Sequence, residues 1–430
     1  IVPDKPTFLQ DNCLPILRSK EEQSDKFLNN IVNAVEQLDS SVLSIQGPPG
    51  SGKTTIANAV ISKLILEGKR VGIMSNSHSA IFNLQKKIIA DNPNYPHAKI
   101  GGLGGTIGEF KERYPDLASL DSFVYRVSAK FTNKQPYSSF STIGATVYAF
   151  VKDDSVAAPL DYLFVDEASQ VALANLIAVT PSTNNIVLMG DQMQLEQPIQ
   201  GSHPGIANKS ALEHLLQDHK VIPDEQGIFL DKTYRMHPNI CQPISALVYE
   251  SKLYSDEQTA KQSVEYSDNA LNLNANGIQF IAVEHQYNTQ SSTEELATIK
   301  GILKQLDNSE LIDNEGNKRP FTKNDVLIVT PYNMQVELLK NNLSTDYQIG
   351  TIDKFQGKEA QVVIVSMASS MAEESTRGVD FLFDVNRLNV AVSRAKALAL
   401  IVASPALAIT RASNPEQAKK VSAFFELIVA

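Results

Sequence analysis

The eight residues Gly47-Pro48-Pro49-Gly50-Ser51-Gly52-Lys53-Thr54 constrain the fold of this chain more than any other stretch. They stand between the strand-like Ser41-Val42-Leu43-Ser44-Ile45 and a helix-patterned run from Ile56 to Leu66. A G-x-x-x-x-G-K-T in that setting commits the chain to a parallel α/β sheet. Its glycines let successive backbone N–H groups wrap an anion where a strand hands over to a helix N-terminus. A second segment fits the first: the apolar run Tyr162-Leu163-Phe164-Val165 ends in Asp166-Glu167-Ala168-Ser169-Gln170. Alone, two carboxylates after a strand read as a turn. Beside a phosphate-binding loop they read as the pair that holds Mg²⁺ and polarises water.

These residue types assign roles. The loop residues Gly47, Pro48, Pro49, Gly50, Ser51 and Gly52, with the helix start at Lys53, Thr54 and Thr55, are the nucleotide-binding set, with Lys53 bridging the β- and γ-phosphates. The Thr54 hydroxyl and Asp166 are the Mg²⁺ ligands, and Glu167 orients the attacking water. Val187-Leu188-Met189-Gly190-Asp191-Gln192-Met193-Gln194-Leu195 is another strand with a polar end, as expected of a γ-phosphate sensor. Arg235, Arg387 and Arg394 are candidates for stabilising charge on the transferring phosphoryl group. Seven residues apart on a helix, Arg387 and Arg394 would share a face.

Elsewhere short apolar runs alternate with amphipathic stretches, as in parallel sheets covered by helices. Strands are expected at 41–46, 70–74, 142–147, 162–165, 185–189 and 227–230, then again near 278–283, 326–329, 362–365 and 398–402. Ser291-Ser292-Thr293-Glu294-Glu295 caps a helix over 293–306. The polar stretch 255–275 reads as a surface excursion. We therefore expect an N-terminal segment 1–40, a first α/β domain 41–235 with an insertion at 82–141, and a second α/β domain 236–430. With one phosphate loop for two domains, the second should complete the site of the first. In 82–141, Lys and Arg outnumber Asp and Glu by eight to five, interleaved with Tyr and Phe. Two readings are open there: stacking faces for bases in a nucleic-acid-binding subdomain, or aromatics that make a small core of their own.

A net charge of −10 argues against coating nucleic acid by bulk positive charge but permits a local basic groove. Cys13 and Cys241 are too few for a four-cysteine cluster or a disulfide framework, which points to a reducing cytosol. No apolar run approaches the ~20 residues of a membrane span. The chain does not begin with Met, as a fragment of a longer protein would not.

Beyond the loop, six segments occur in a fixed order: Asp-Glu-Ala-Ser-Gln at 166–170, Gly-Asp-x-x-Gln-Leu at 190–195, Tyr-Arg-Met-His-Pro at 234–238, Thr-Pro-Tyr at 330–332, Asp-x-Phe-Gln-Gly-x-Glu at 353–359 and Asn-Val-Ala-Val-Ser-Arg-Ala at 389–395. This set resembles the helicases of superfamily 1, in particular their Upf-like branch. The runs 197–204 and 227–231 look closer still to the helicase half of bacterial fusions with a RecB-like nuclease. The resemblance implies an α/β fold of two RecA-like domains in tandem and an ATP- and Mg²⁺-dependent translocase or helicase on single strands. It also implies 5′ to 3′ movement and a nuclease domain or partner outside this chain.

Position by position, it implies that Gln194 senses the γ-phosphate, that Arg235 and Arg394 reach the phosphates, and that Glu359 contacts the nucleotide near its ribose. It places Ser77, His78, Thr146, Pro331, Tyr332, Thr351 and Gln356 along the single strand. Hydroxyls and amides suit contacts to phosphate and sugar, and an aromatic ring suits stacking. DNA is favoured over RNA by the likeness to nuclease fusions. A protein that remodels protein–nucleic-acid complexes without unwinding, or an RNA helicase, stands as the alternative. Relatives carry a Gln upstream of the loop that reads adenine, where Asn30 and Ile31 stand here, and many carry Asn in place of His78.

Overall fold

The computed structural model describes residues 25–429 apart from 196–208, 218, 356 and 373–376. The chain divides into two compact units. The first comprises residues 1–47, Gly52–Gln192 and Glu196–Leu230; the second comprises Pro48–Ser51, Met193–Leu195 and Asp231–Ala430.

The first unit is built on eight parallel strands: β1 (Val42–Gln46), β2 (Val71–Met74), β3 (His97–Ile100), β4 (Phe123–Arg126), β5 (Thr142–Ala145), β6 (Leu160–Asp166), β7 (Thr183–Gly190) and β8 (Gly227–Phe229). Their order in the sheet is β4-β3-β5-β2-β6-β7-β1-β8. The central strands are apolar on both faces because helices cover both. Helices α1 (Asp25–Glu36), α2 (Lys53–Leu66) and α3 (His78–Asp91) contribute Ile31, Val35, Ile61, Leu64 and Ile81 to a core shared with Leu43, Ile73, Phe164 and Val187. The Ser77 hydroxyl caps α3 by accepting from the Ala80 N–H.

Residues 82–141 do more than interrupt this sheet. They begin inside α3, and their β3 and β4 extend the sheet at its edge. Strand β3 lacks the apolar run by which strands are read from sequence, since it is His-Ala-Lys-Ile with His97 and Lys99 buried. Phe82, Ile89, Leu103, Phe110, Phe123 and Tyr125 form a small core of their own, with Phe110 stacked on Tyr125 at 4.6 Å. Those rings face one another, so they do not offer stacking faces to bases.

The second unit has a five-stranded parallel sheet, ordered β12-β18-β17-β15-β16. Its strands are β12 (Gly277–Ala282), β15 (Val326–Thr330), β16 (Gln348–Thr351), β17 (Ala360–Ser366) and β18 (Ala395–Ala403). Two small sheets accompany it. One pairs β9 (Lys232–Thr233) with β10 (Tyr254–Ser255), and the other joins β11 (Ser263–Tyr266), β13 (Ser309–Ile312) and β14 (Lys318–Pro320). The polar stretch 255–275 thus holds β11. Helix α4 (Thr293–Leu306) begins where the capping pattern placed it, with Ser292 Oγ accepting from the Glu295 N–H at 3.1 Å. Glu295 itself is wholly buried; it accepts from the Ser366 hydroxyl and from the Ala368 N–H, and it pairs with His285 at 3.1 Å.

The chain is α/β, with two parallel-sheet units of the RecA-like kind in tandem. Among the described residues, no helix is long and apolar enough to cross a membrane.

Candidate nucleotide site and strand-binding edges

The phosphate loop grows directly out of the sheet. Gly47 N–H donates to the Gly190 carbonyl at 2.8 Å, continuing the β1–β7 ladder one step beyond Gln46. Gly52, with φ 83°, is the residue before α2 and accepts from the N–H groups of Thr55 and Ile56. Gly50, with φ 73°, has no room for a side chain, since a Cβ there would collide with Thr233 Oγ1 and Arg235 Cβ. Lys53 Nζ arches back to donate to the Gly47 carbonyl across its own loop. The Ser51 hydroxyl is buried with no hydrogen-bond partner in the protein.

Asp166 closes β6 beside Met189 of β7. Glu167 then takes the left-handed conformation, φ 54° and ψ 47°, and its N–H donates to Asp166 Oδ1 at 3.0 Å. The following 3₁₀ turn, Ala168–Gln170, lies against Gly190, where a Cβ would sit 2.9 Å from Ala168 N and 3.0 Å from Ser169 N. Burial pushes the Asp166 carboxyl up to about 7; the Glu167 charge adds to this and the Lys53 ammonium opposes it. Lysine and both carboxylates thus act on one another.

This donor set fits a nucleotide with a divalent cation. The loop holds an unsatisfied hydroxyl, its glycines leave backbone open to an anion, and the two carboxylates repel each other unless a cation intervenes. Among the described residues no three His, Cys, Asp or Glu side chains converge into a ready-made metal cage. Mg²⁺ here would be held by Thr54 and Asp166 together with the phosphates, the usual arrangement for an ion that dehydrates reluctantly. The end of β7 is tied down as well. Gln46 Nε2 donates to Asp191 Oδ1 at 3.3 Å, and Gln192 Nε2 donates to the Lys220 carbonyl at 2.9 Å. Gln194 is buried, 5% exposed. At the adenine-reading position, Ile31 is wholly buried in the core and offers no amide, while Asn30 is half-buried.

In the second unit the expected residues gather around one carboxylate. Glu359 accepts from Arg235 Nε at 2.7 Å and from Lys396 Nζ at 2.8 Å. Burial alone would raise its pKa, but the two cations outweigh that and hold it below the usual range. Arg235 also donates to the Ser393 carbonyl at 3.1 Å, and Arg394, 3% exposed, lies near the Lys358 carbonyl. Pro48–Ser51, which belong to this unit, are held by Thr233 Oγ1 donating to the Pro49 carbonyl and by Tyr234 N–H donating to that of Gly50. Asn389 Nδ2 donates to the Met193 carbonyl at 2.7 Å. Sequence reasoning missed Lys396 and Asn389; both sit inside or next to the segment 389–395, and only the fold shows which way they face.

Arg387 and Arg394 do not share a helix face. The helix Val385–Val392 ends before Arg394, which lies in the turn leading into β18, so the seven-residue spacing loses its meaning. Arg387 instead reaches Asp353 at 3.1 Å and lies over the Phe381 ring at 4.6 Å.

The candidates for strand contact occupy the C-terminal edges of neighbouring strands. Ser77 and His78 follow β2 and Thr146 follows β5, and these two strands pair in register. Pro331 and Tyr332 follow β15, whose Thr330 pairs with Thr351 of β16. Tyr332 is 3% exposed, its ring 5.9 Å from that of Phe381, so its face is not open for stacking. Gln356 and the run 197–204 lie outside the described residues. A residue that the sequence did not single out stands behind His78: the buried Lys99, whose Nζ is 3.0 Å from His78 Nδ1.

Two family models, each described as an AAA domain, match residues 32–199 and 207–406. The chain is 25% identical over 400 residues to "DNA polymerase alpha-associated DNA helicase A" of Schizosaccharomyces pombe, covering 82% of this chain and 59% of that protein. It is 25% identical over 425 residues to "DNA replication ATP-dependent helicase/nuclease DNA2" of Saccharomyces cerevisiae, covering 92% and 26%. To the "Regulator of nonsense transcripts 1 homolog" of Drosophila melanogaster it is 25% identical over 429 residues, covering 91% and 35%. The chain therefore spans less than two thirds of the length of each of these curated relatives.

Proposed function

From its membership of the Upf-like branch of superfamily 1 helicases, we propose that this chain is an ATP-driven translocase that unwinds nucleic acid from a single-stranded tail. The observation that carries the reading is the joining of Lys53, Asp166 and Glu167 at the phosphate loop, with Glu167 held in a left-handed turn. In this reading the loop N–H groups and Lys53 bind the phosphates, and Thr54 and Asp166 hold Mg²⁺. The cation, when bound, neutralises charge developing on the γ-phosphoryl oxygens. Glu167 accepts the proton of the attacking water. Gln194 orients that water, and Arg235 and Arg394 face the transferring phosphoryl, with Glu359 beside the ribose.

Ser77, His78, Thr146, Pro331 and Thr351 contact phosphate and sugar, which makes the grip independent of sequence. Two of the relatives above carry DNA in their printed names, which supports DNA as the substrate; 5′ to 3′ is the direction that the resemblance to the Upf-like branch implies. The printed name of one of them also supports a nuclease domain or partner beyond this chain.

The test is ATPase rate with single-stranded DNA and RNA side by side, then strand displacement from 5′- and 3′-tailed duplexes. Stimulation by DNA, unwinding from 5′ tails and loss of both in Lys53→Ala are expected. Stimulation without any displacement would replace this reading with that of a remodelling ATPase.

A further inference from the structure

Lys99 lies on β3 with none of its surface exposed, a costly place for a cation unless every N–H is used. All three have acceptors: the Ile100 carbonyl at 2.9 Å, the Gly101 carbonyl at 2.8 Å and His78 Nδ1 at 3.0 Å. Lys99 pairs in register with Gly144 of β5, whose missing side chain leaves the face free for Ile81 and Gln85 of α3. The imidazole itself lies on Gly101 and Gly102, both left-handed at φ 67° and 80°, and a Cβ on Gly102 would collide with the ring. This explains the Gly101-Gly102 pair that breaks the pattern of 82–141. The ring is thus fixed in place by a glycine floor and by an ammonium at one nitrogen.

An ammonium donates and cannot accept, so the nitrogen facing it carries a lone pair. We propose that Lys99 is a positioning residue that holds His78 as the neutral Nε2–H tautomer, aiming one N–H donor at a phosphate of the bound single strand. This rests on the reading of His78 as a strand contact. The ring's surroundings hold it below the ordinary histidine range, burial first and the Lys99 charge second, and the glycines that face it are uncharged. Burial pushes Lys99 down to about 7, so below that pH the ammonium is the form present. Acidification from pH 7 then leaves His78 neutral, whereas without Lys99 only burial opposes its protonation, so the ring takes up a proton at higher pH than in wild type.

The experiment measures binding of a fluorescent single-stranded DNA 12-mer to the full chain from pH 7.0 to 5.5. Wild type should hold its Kd within about twofold. Lys99→Met should bind about three- to tenfold more weakly at pH 7.0, the value of one aimed hydrogen bond, and should tighten on acidification as the freed ring becomes a cation. In a His78→Asn background, Lys99→Met should change nothing. A flat profile for Lys99→Met, or an equal loss in the His78→Asn background, overturns the proposal. Should His78→Ala bind as wild type does, the strand-contact reading of His78 fails instead.

Folding of each variant is checked by melting and by ATPase without nucleic acid. A measurement that needs no Lys99 variant is long-range ¹⁵N correlation of the His78 ring at pH 6.5, assigned by its loss in His78→Asn. A proton on Nε2 supports the proposal and one on Nδ1 refutes it.

Discussion

Glu167 is the residue at which stability and catalysis pull apart most cleanly. Its φ of 54° and ψ of 47° are those of a left-handed residue, which costs an L side chain about 1–2 kcal/mol. Glu167→Gly removes that strain and gives back about 0.5–1 kcal/mol through the extra freedom of glycine in the unfolded chain. The net expectation is a first unit more stable by about 0.5–1 kcal/mol, a rise in its Tm of roughly 1–4 °C for a unit of about this size. Removing the carboxylate also relieves Asp166, whose pKa the Glu167 charge raises. Glu167→Gln keeps the side chain, and with it the strain, but loses the charge. Both variants should lose about 10²- to 10⁴-fold in hydrolysis, the usual worth of a general base. Thermal unfolding and single-turnover ATP hydrolysis read the two effects separately. The backbone argument is refuted by a Glu167→Gly melting below Glu167→Gln, and the catalytic one by Glu167→Gln hydrolysing within threefold of wild type.

Other outcomes follow from the same geometry. Gly190→Ala should destabilise the first unit by about 1–3 kcal/mol, since its Cβ would press on the backbone of Ala168 and Ser169 and no flexible side chain can yield; chemical denaturation measures it, and an unchanged midpoint would mean the turn moves freely. With Ile31 buried where an adenine-reading amide would stand, kcat/KM for GTP should lie within about tenfold of that for ATP, because no buried polar group is left unpaired by the wrong base; a preference of a thousandfold would show another reader of adenine. Glu295→Ala should cost the second unit about 3–5 kcal/mol, as it strands the Ala368 N–H and the Ser366 hydroxyl in the interior, with melting as the readout and Glu295→Gln as the milder control. Asp325 is held below the usual carboxylate range because hydrogen bonds from Arg319 and Thr322 outweigh the effect of burial. Its contribution is full above the unfolded value near 3.9 and is lost as pH falls through the lower folded value, so Asp325→Asn should flatten the acid limb of the stability curve, and an unaltered limb would exclude the pair.

Sequence reasoning succeeded where one local rule decides the outcome. Strands β1, β2, β6 and β7 are apolar because both of their faces are covered, and a run of that kind reads the same in the sequence as in the sheet. The helix Thr293–Leu306 announces itself by Ser292 and Glu295. Strands β3 and β16 escaped notice because His-Ala-Lys-Ile and Gln-Ile-Gly-Thr carry polar residues whose partners lie far along the chain. The same limit applies within the site. The order of motifs named Lys53, Asp166, Glu167, Arg235 and Glu359, yet nothing local says that the helix before Arg394 stops at Val392 or that Tyr332 turns its ring inward. Helix ends and ring orientation are set by what packs against them, which a single sequence does not display.

The order of strands also sets a timetable for the protein's birth. Strand β1 leaves the ribosome before its partners, which are Ile186–Gly190 on one side and Gly227–Phe229 on the other. Until β7 has been made, Gly47 has no carbonyl to bond and the loop after it has no anchor. At ordinary synthesis rates that wait is roughly 7–30 s, with an unpaired apolar strand exposed throughout. Nucleotide therefore cannot chaperone the nascent chain between β1 and β7, and a chaperone that shields Val42–Ile45 would act in that interval, before any ATP can bind.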